Sequence, residues 1–240
     1  MRALILGGTR EARDLAALLV GRGDYVISSL AGRVKDPALP VGEVRIGGFG
    51  GPEGLTEWIR EHSIDVLFDA THPFAEKISQ SAATACATTG TPLIHLHRPA
   101  WEKQPGETWI EVSSMDEAAA ESARFSTVLL TIGRQKLAHF AGCDSTRFLI
   151  RCVDPPEVAL PPQHDILLSR GPFTIDGEKD LIHSNGIEAL VTKNSGGDLT
   201  HAKLEAARDL HIPVIIVQRP PLPAEGTLVH TAADAIAALP

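Results

Sequence analysis

Cysteine is scarce in this chain: Cys86, Cys143 and Cys152 are the only three in 240 residues. They are odd in number and form no CxxC pair, which excludes a disulfide framework and a cysteine zinc site and fits a reducing compartment. Seven Phe, three Trp and one Tyr leave few large stacking anchors. No apolar run approaches the roughly 20 residues of a membrane span. Met1 to Leu6 leads straight into Gly7-Gly8 without the apolar core of a signal peptide. A cytoplasmic protein with no membrane partner is therefore expected. Basic residues are outnumbered, 22 to 30, and the net charge of -8 argues against a nucleic-acid partner, whose phosphates demand many Lys and Arg. An anionic ligand would need locally gathered cations. Also missing are Gly-x-Ser-x-Gly, HExxH and Walker A sequences.

What is present is alternation. Ala3 to Leu6 is a short apolar run, followed by a glycine turn and by Ala12, Leu15, Ala16, Leu18 and Leu19 at helical spacing. Strands are predicted at Tyr25–Ile27, Glu43–Ile46, Asp65–Asp69 and Pro92–Leu96, and helices around Leu55–Ile59 and over Phe74–Thr88. Strands and helices alternating at these lengths imply right-handed βαβ units and a parallel sheet. The succession then starts again. Val128 to Arg134 restates Ala3 to Arg10, Glu188–Thr192 with the helix Leu199–Leu210 restates Asp65 to Thr88, and the closing His97-Arg98-Pro99 pairs with Gln218-Arg219-Pro220. After each Arg-Pro come a Pro/Gly loop, a short strand and an Ala-rich helix. The fold class expected is α/β, two Rossmann-like doubly wound parallel-sheet domains related by internal duplication, spanning 1–124 and 125–240. One continuous sheet is the alternative.

Ligands of doubly wound folds bind beyond the carboxyl ends of the strands, so the turns there carry the candidate chemistry. Gly7-Gly8-Thr9-Arg10-Glu11-Ala12 resembles a dinucleotide fingerprint with Thr9 and Ala12 in place of two glycines. Its backbone could approach a pyrophosphate at the N-terminus of the next helix, or merely turn the chain. After the second strand, Ser28-Ser29-Leu30-Ala31-Gly32-Arg33 has no carboxylate to hold ribose hydroxyls. Arg33, with Ser29 and Arg10, could instead clamp the 2′-phosphate of NADP. Asp69-Ala70-Thr71-His72-Pro73-Phe74 places Pro73 in a first helical turn and Thr71 and His72 at the cofactor. His72 could donate to an anion, serve as an acid or simply shape the loop.

In the second half a single glycine, Gly133, follows bulky Ile132, so one dinucleotide is expected, in the N-terminal domain. There Lys193-Asn194-Ser195-Gly196-Gly197, then Thr200 and Lys203, suggest an anion site, although the glycines also permit a plain turn. Arg170-Gly171-Pro172 again puts an Arg at a strand end, and Arg98 adds a cation near the domain junction. His95 and His97 share one strand face, but no third ligand at metal spacing follows, so packing or exposure, and no metal, is expected.

Taken together, GGTREAR, AGR, DATHPFA, RPAW, SRGPF and TKNSGG followed by TxxK, ending in IPVIIVQRP, resemble the precorrin-6A reductase family of cobalamin biosynthesis, in order and over nearly the whole chain. The resemblance implies a two-domain Rossmann-like oxidoreductase that uses NADPH to reduce the C18–C19 double bond of precorrin-6A, giving precorrin-6B. Family members of the anaerobic route take the cobalt-containing macrocycle and can prefer NADH. A polycarboxylate tetrapyrrole would explain Arg98, Arg170, Lys193 and Lys203 in an acidic protein. His72 is the one near-neutral titratable group in these motifs, with water or a substrate carboxylic acid as other proton sources. A non-catalytic NADP-binding protein is the reading from another class.

Overall fold

The structure, a computed structural model, describes residues 1–32 and 38–240. The chain divides into two units, Met1–Pro99 with Pro220–Pro240, and Ala100–Arg219. In the first unit the order is β1 (Arg2–Leu6), α1 (Arg10–Gly21), β2 (Tyr25–Leu30), β3 (Glu43–Ile46), α2 (Pro52–Glu61), β4 (Val66–Asp69), α3 (Glu76–Thr89) and β5 (Leu93–Leu96). The second holds β6 (Trp109–Val112), α4 (Met115–Ser122), β7 (Thr127–Leu130), β8 (Arg147–Cys152), β9 (His164–Leu168), α5 (Ile175–Ser184), β10 (Ala189–Lys193), α6 (Ala202–Asp209) and β11 (Val214–Val217). The chain then returns to the first unit for β12 (Thr227–Val229) and α7 (Ala232–Ala237).

Each unit is built on a six-stranded sheet whose pairings are all parallel, ordered β12-β5-β4-β1-β2-β3 in the first and β6-β11-β10-β7-β8-β9 in the second. The two orders correspond strand for strand if β1 to β6 are matched with β7 to β12. The duplication is thus visible in the topology, with one exchange. The sixth strand of each repeat lies in the other repeat's sheet, β6 beside β11 and β12 beside β5. The expected division at 124/125 therefore gives way to two crossings, at 99/100 and 219/220. Both fall at an Arg-Pro, where proline removes a backbone donor and the strand can run no further.

Strands covered on both faces explain the near-continuous apolar runs. Along β1, Ala3 and Ile5 join Leu15, Leu19 and Phe68 under α1 and α7, while Leu4 and Leu6 join Leu55, Ile59 and Ala82 under α2 and α3. In the second unit Leu129, Leu190 and Ile216 pack with Leu204, Ile182 and Trp101. Three elements differ from expectation. A 3-10 helix, Arg134–Phe140, replaces the first helix of the second repeat. The helix after the TKNSGG turn is split into a 3-10 turn, Asp198–Thr200, and α6. α5 has no forerunner in the periodicity, although Thr174 caps it by accepting from the Gly177 N–H and Asp176 and Glu178 suit its first turn.

Candidate active site

The turn after β1 is built by short-range forces. Thr9 is the N-cap of α1. Its hydroxyl accepts from the Ala12 N–H at 3.1 Å and donates to the Ala70 carbonyl at 2.8 Å, pinning the helix start to the end of β4. Gly8 has φ +112, a conformation L side chains rarely adopt, and a Cβ there would face open space. A side chain at Gly7 would stand 3.4 Å from the Ala12 Cβ, so this glycine serves the close packing of helix on strand. Arg10 is exposed and pairs with Asp14 at 3.6 Å. Glu11 pairs with Arg98 at 3.1 Å. Arg98, expected near the domain junction, lies in the first unit just before the 99/100 crossing and meets the start of α1.

At the end of β2, Ser29 is buried and its hydroxyl accepts from Arg45 at 2.9 Å. The Arg45 guanidinium also donates to the Gly47 and Gly48 carbonyls and lies 3.8 Å from the Phe49 ring centroid. Burial pulls its pKa below the ordinary arginine value. Its place on β3, paired with Ser29 across the ladder, gave no local signal in the sequence. Gly32 has φ +70. Arg33, the residue expected to meet a 2′-phosphate, lies outside the described residues.

The end of β4 holds a buried polar cluster. Asp69 is fully buried. One carboxylate oxygen accepts from the Thr71 hydroxyl at 2.6 Å and the Thr71 N–H at 3.2 Å. The other lies 3.0 Å from His95 Nδ1 and 3.7 Å from His97 Nε2, the second contact being longer than a hydrogen bond. Burial by itself would push this carboxyl up, but the donors of His95, Ser79 and Thr71 and the facing ring of His97 hold it well below the usual carboxylate range. His95 Nε2 is 3.0 Å from the Glu225 carbonyl. Burial disfavours the charge on His95, yet Asp69 and that carbonyl outweigh it and raise its pKa.

The expectation that the two histidines lack a third ligand-type partner is therefore wrong. Asp69, His95 and His97 are all buried, with ligand atoms within 4.8 Å of one another, a set that could hold a metal. The third group comes from the neighbouring strand, in register with His95, and no sequence spacing encodes that. The direct Asp69–His95 bond satisfies both of those atoms without an ion. His72 is exposed, with Nδ1 accepting from the Phe74 N–H at 3.2 Å. Pro73 is not in a first helical turn, because α3 begins only at Glu76 and a turn closed by Ala75 N–H to His72 carbonyl intervenes.

In the second unit Asn194 organises the glycine turn. It accepts from the Trp101 N–H at 2.8 Å, donates to the Trp101 carbonyl at 3.1 Å, and its own carbonyl accepts from Arg219 at 2.8 Å. The Trp101 indole N–H donates to the Gly197 carbonyl at 3.0 Å. Ser195 and Gly196 are buried and Lys193 is half-buried in this turn. Arg170 is exposed at the end of β9, and a side chain at Gly171 would crowd Phe173 at 3.2 Å. Lys203 departs from expectation. It is only 4% exposed, sits 4.7 Å from the Trp101 ring centroid and donates to the Thr200 carbonyl at 2.6 Å. Beneath it Arg151 donates to Glu178 at 2.5 Å and covers Phe173. Burial, aided by the Arg151 charge, pulls the Lys203 amine down to about 7. Lys203 and Thr200 thus brace the turn from inside, because α6 directs that lysine into the core.

A glycine turn between the central strand and its helix, where the strand order passes from one side of β1 to the other, defines a two-unit Rossmann-like α/β protein. The chain belongs to the precorrin-6x reductase CbiJ/CobK family, which it matches over residues 2–240. It is 52% identical over 238 residues to a precorrin-6A reductase of Rhodococcus erythropolis, covering 98% of this chain and 96% of that one. It is 49% identical over 244 residues to a precorrin-6A reductase of Mycobacterium tuberculosis, covering 100% and 98%. A solved CobK precorrin-6A reductase superposes with a TM-score of 0.91 at 40% identity, covering 99% of this chain and 95% of that structure. Among the described residues no helix is long and apolar enough to cross a membrane.

Proposed function

We propose that this chain reduces precorrin-6A to precorrin-6B in cobalamin biosynthesis, using NADPH to saturate the C18–C19 double bond of the macrocycle. The observation that carries the reading is the Gly7-Gly8 turn at the β1/β4 switch point in a chain matching the reductase family end to end. The residues fit a dinucleotide. Gly8 leaves open space where a side chain would stand, and the first turn of α1 offers backbone N–H groups to a pyrophosphate. Gly7, Gly8, Thr9, Arg10 and Gly32 would line the cofactor, with Ser29 and Arg33 at its adenosine end and Thr71 to Pro73 at its nicotinamide. When bound, the nicotinamide supplies a hydride from C4, and the protein supplies orientation and electrostatics. One alkene carbon receives that hydride and the other a proton, for which exposed His72 stands in the loop after β4.

The substrate's acetate and propionate carboxylates would be held by Arg170, Lys193 and the N–H groups of Ser195, Gly196 and Gly197. Lys203 and Thr200 act beneath them by keeping the turn in shape, and Glu11 steadies Arg98. The test combines product and cofactor. Incubation with NADPH and precorrin-6A should oxidise one NADPH per macrocycle and raise the product mass by two hydrogens. Arg33→Ala should weaken NADPH binding roughly 10- to 150-fold, the loss of one charge-assisted phosphate contact, and leave NADH binding unchanged. Equal loss for both cofactors would remove Arg33 from the phosphate site.

A further inference from the structure

The His95 ring is hemmed in. Its two nitrogens face the Asp69 carboxylate and the Glu225 carbonyl, each at 3.0 Å, and neither oxygen can donate. The ring thus bridges the end of β4 and the segment that precedes β12. The surroundings are shaped to that ring. Gly226, at φ +97, lies so close that a Cβ there would stand 3.0 Å from His95 Cδ2 and from the Leu93 carbonyl. The segment that brings β12 to the first sheet is thereby seated directly on the imidazole. His97 lies edge-on with ring centroids 6.0 Å apart, and it is the neighbouring ring in position to share Asp69. The other oxygen of Asp69 holds the hydroxyl and N–H of Thr71, the residue before His72.

We infer that His95 is a positioning residue for the reduction: held by Glu225, its ring locks Asp69 in the rotamer that holds Thr71, and through Thr71 the His72 loop, against the nicotinamide. This rests on the proposed placing of the cofactor at the β4 loop. A buried carboxylate accepting from Thr71 on one oxygen needs a donor on the other as well, because an unpaired buried anion would be strongly disfavoured. The His95 ring faces that other oxygen and braces it from behind the loop. Glu225, Gly226, Asp69 and Thr71 thus form one chain of contacts from the returning segment to the reacting end of the site.

Two variants test it. An Asn side chain can place its amide near Nδ1 and keep the donor to Asp69, whereas Gln reaches toward Nε2 and keeps the bond to Glu225. His95→Gln should lower kcat roughly 10- to 100-fold, the cost of a reacting group displaced by a fraction of an ångström to one ångström. NADPH Kd should stay within about twofold, since the pyrophosphate turn is untouched. His95→Asn should recover a large part of the kcat loss. Equal kcat for wild type and His95→Gln would overturn the inference. Equal kcat loss in both variants would do so as well, by reducing His95 to a fold-stabilising role. Failure of the wild-type enzyme to bind NADPH would instead sink the cofactor reading.

Discussion

Lys203 shows how burial turns an expected ligand into a support. Its amine titrates at about 7 in the folded chain against an ordinary value of 10.5. Between these values the unfolded chain holds a proton that the folded chain has released, so this group makes stability rise with pH from about 7 to 10.5. Below about 7 both states carry the proton and the burial penalty is fully present. Lys203→Met keeps the volume and removes the charge. It should be neutral or stabilising by about 1 kcal/mol at pH 6, with the gain shrinking toward pH 9, as read from urea midpoints. A drop in precorrin-6A binding in this variant, with stability unchanged at both pH values, would restore Lys203 as a direct ligand. Cys86 makes a similar point. Burial pushes its thiol up to about 12, which explains why a scarce residue type here has a packing role.

At the level of elements, the α1 N-terminus is the junction on which the candidate cofactor turn depends. The Thr9 hydroxyl caps the helix and ties it to Ala70 at the end of β4, two strands' worth of geometry fixed by one oxygen. Thr9→Ala should destabilise the chain by about 1–2 kcal/mol, the usual range for a lost cap with a second bond attached. Thr9→Ser should recover most of it, since the hydroxyl is what both bonds use. Thermal melts with NADPH titrations on both variants check this. Equal destabilisation by Ala and Ser would assign the effect to the lost methyl group.

For the molecule as a whole, the exchange of β6 and β12 makes the first unit depend on the chain's last segment. β12 covers the edge of β5, and Ala235 with Ile236 and Leu239 packs on the same cluster as Leu15, Leu19 and Phe68. Truncation after Arg219 should therefore cost the first unit at least about 5 kcal/mol, comparable with a domain's whole margin. The second unit, Ala100–Arg219, keeps all six of its strands. Calorimetry of the truncated chain should show one remaining unfolding transition, with NADPH binding lost. Two intact transitions would show that the first unit holds without β12.

Alternating apolar runs and turn glycines were enough to determine the strands, most helices, the parallel sheets and the duplication, because each depends on residues a few positions apart. The Gly7-Gly8 turn and the Lys193 to Gly197 turn were legible for the same reason, whereas the capping role of Thr9 came only with the structure. Tertiary structure alone decided where each sixth strand pairs, since the edges of β5 and β11 offer similar partners to either repeat. It also decided that Arg98 meets Glu11, that Lys203 points inward and that Asn194 brackets Trp101. Above all it joined Asp69, His95 and Glu225, residues separated by 26 and 130 positions. Such a cluster depends on strand register and on the returning segment, and neither leaves a mark in local spacing.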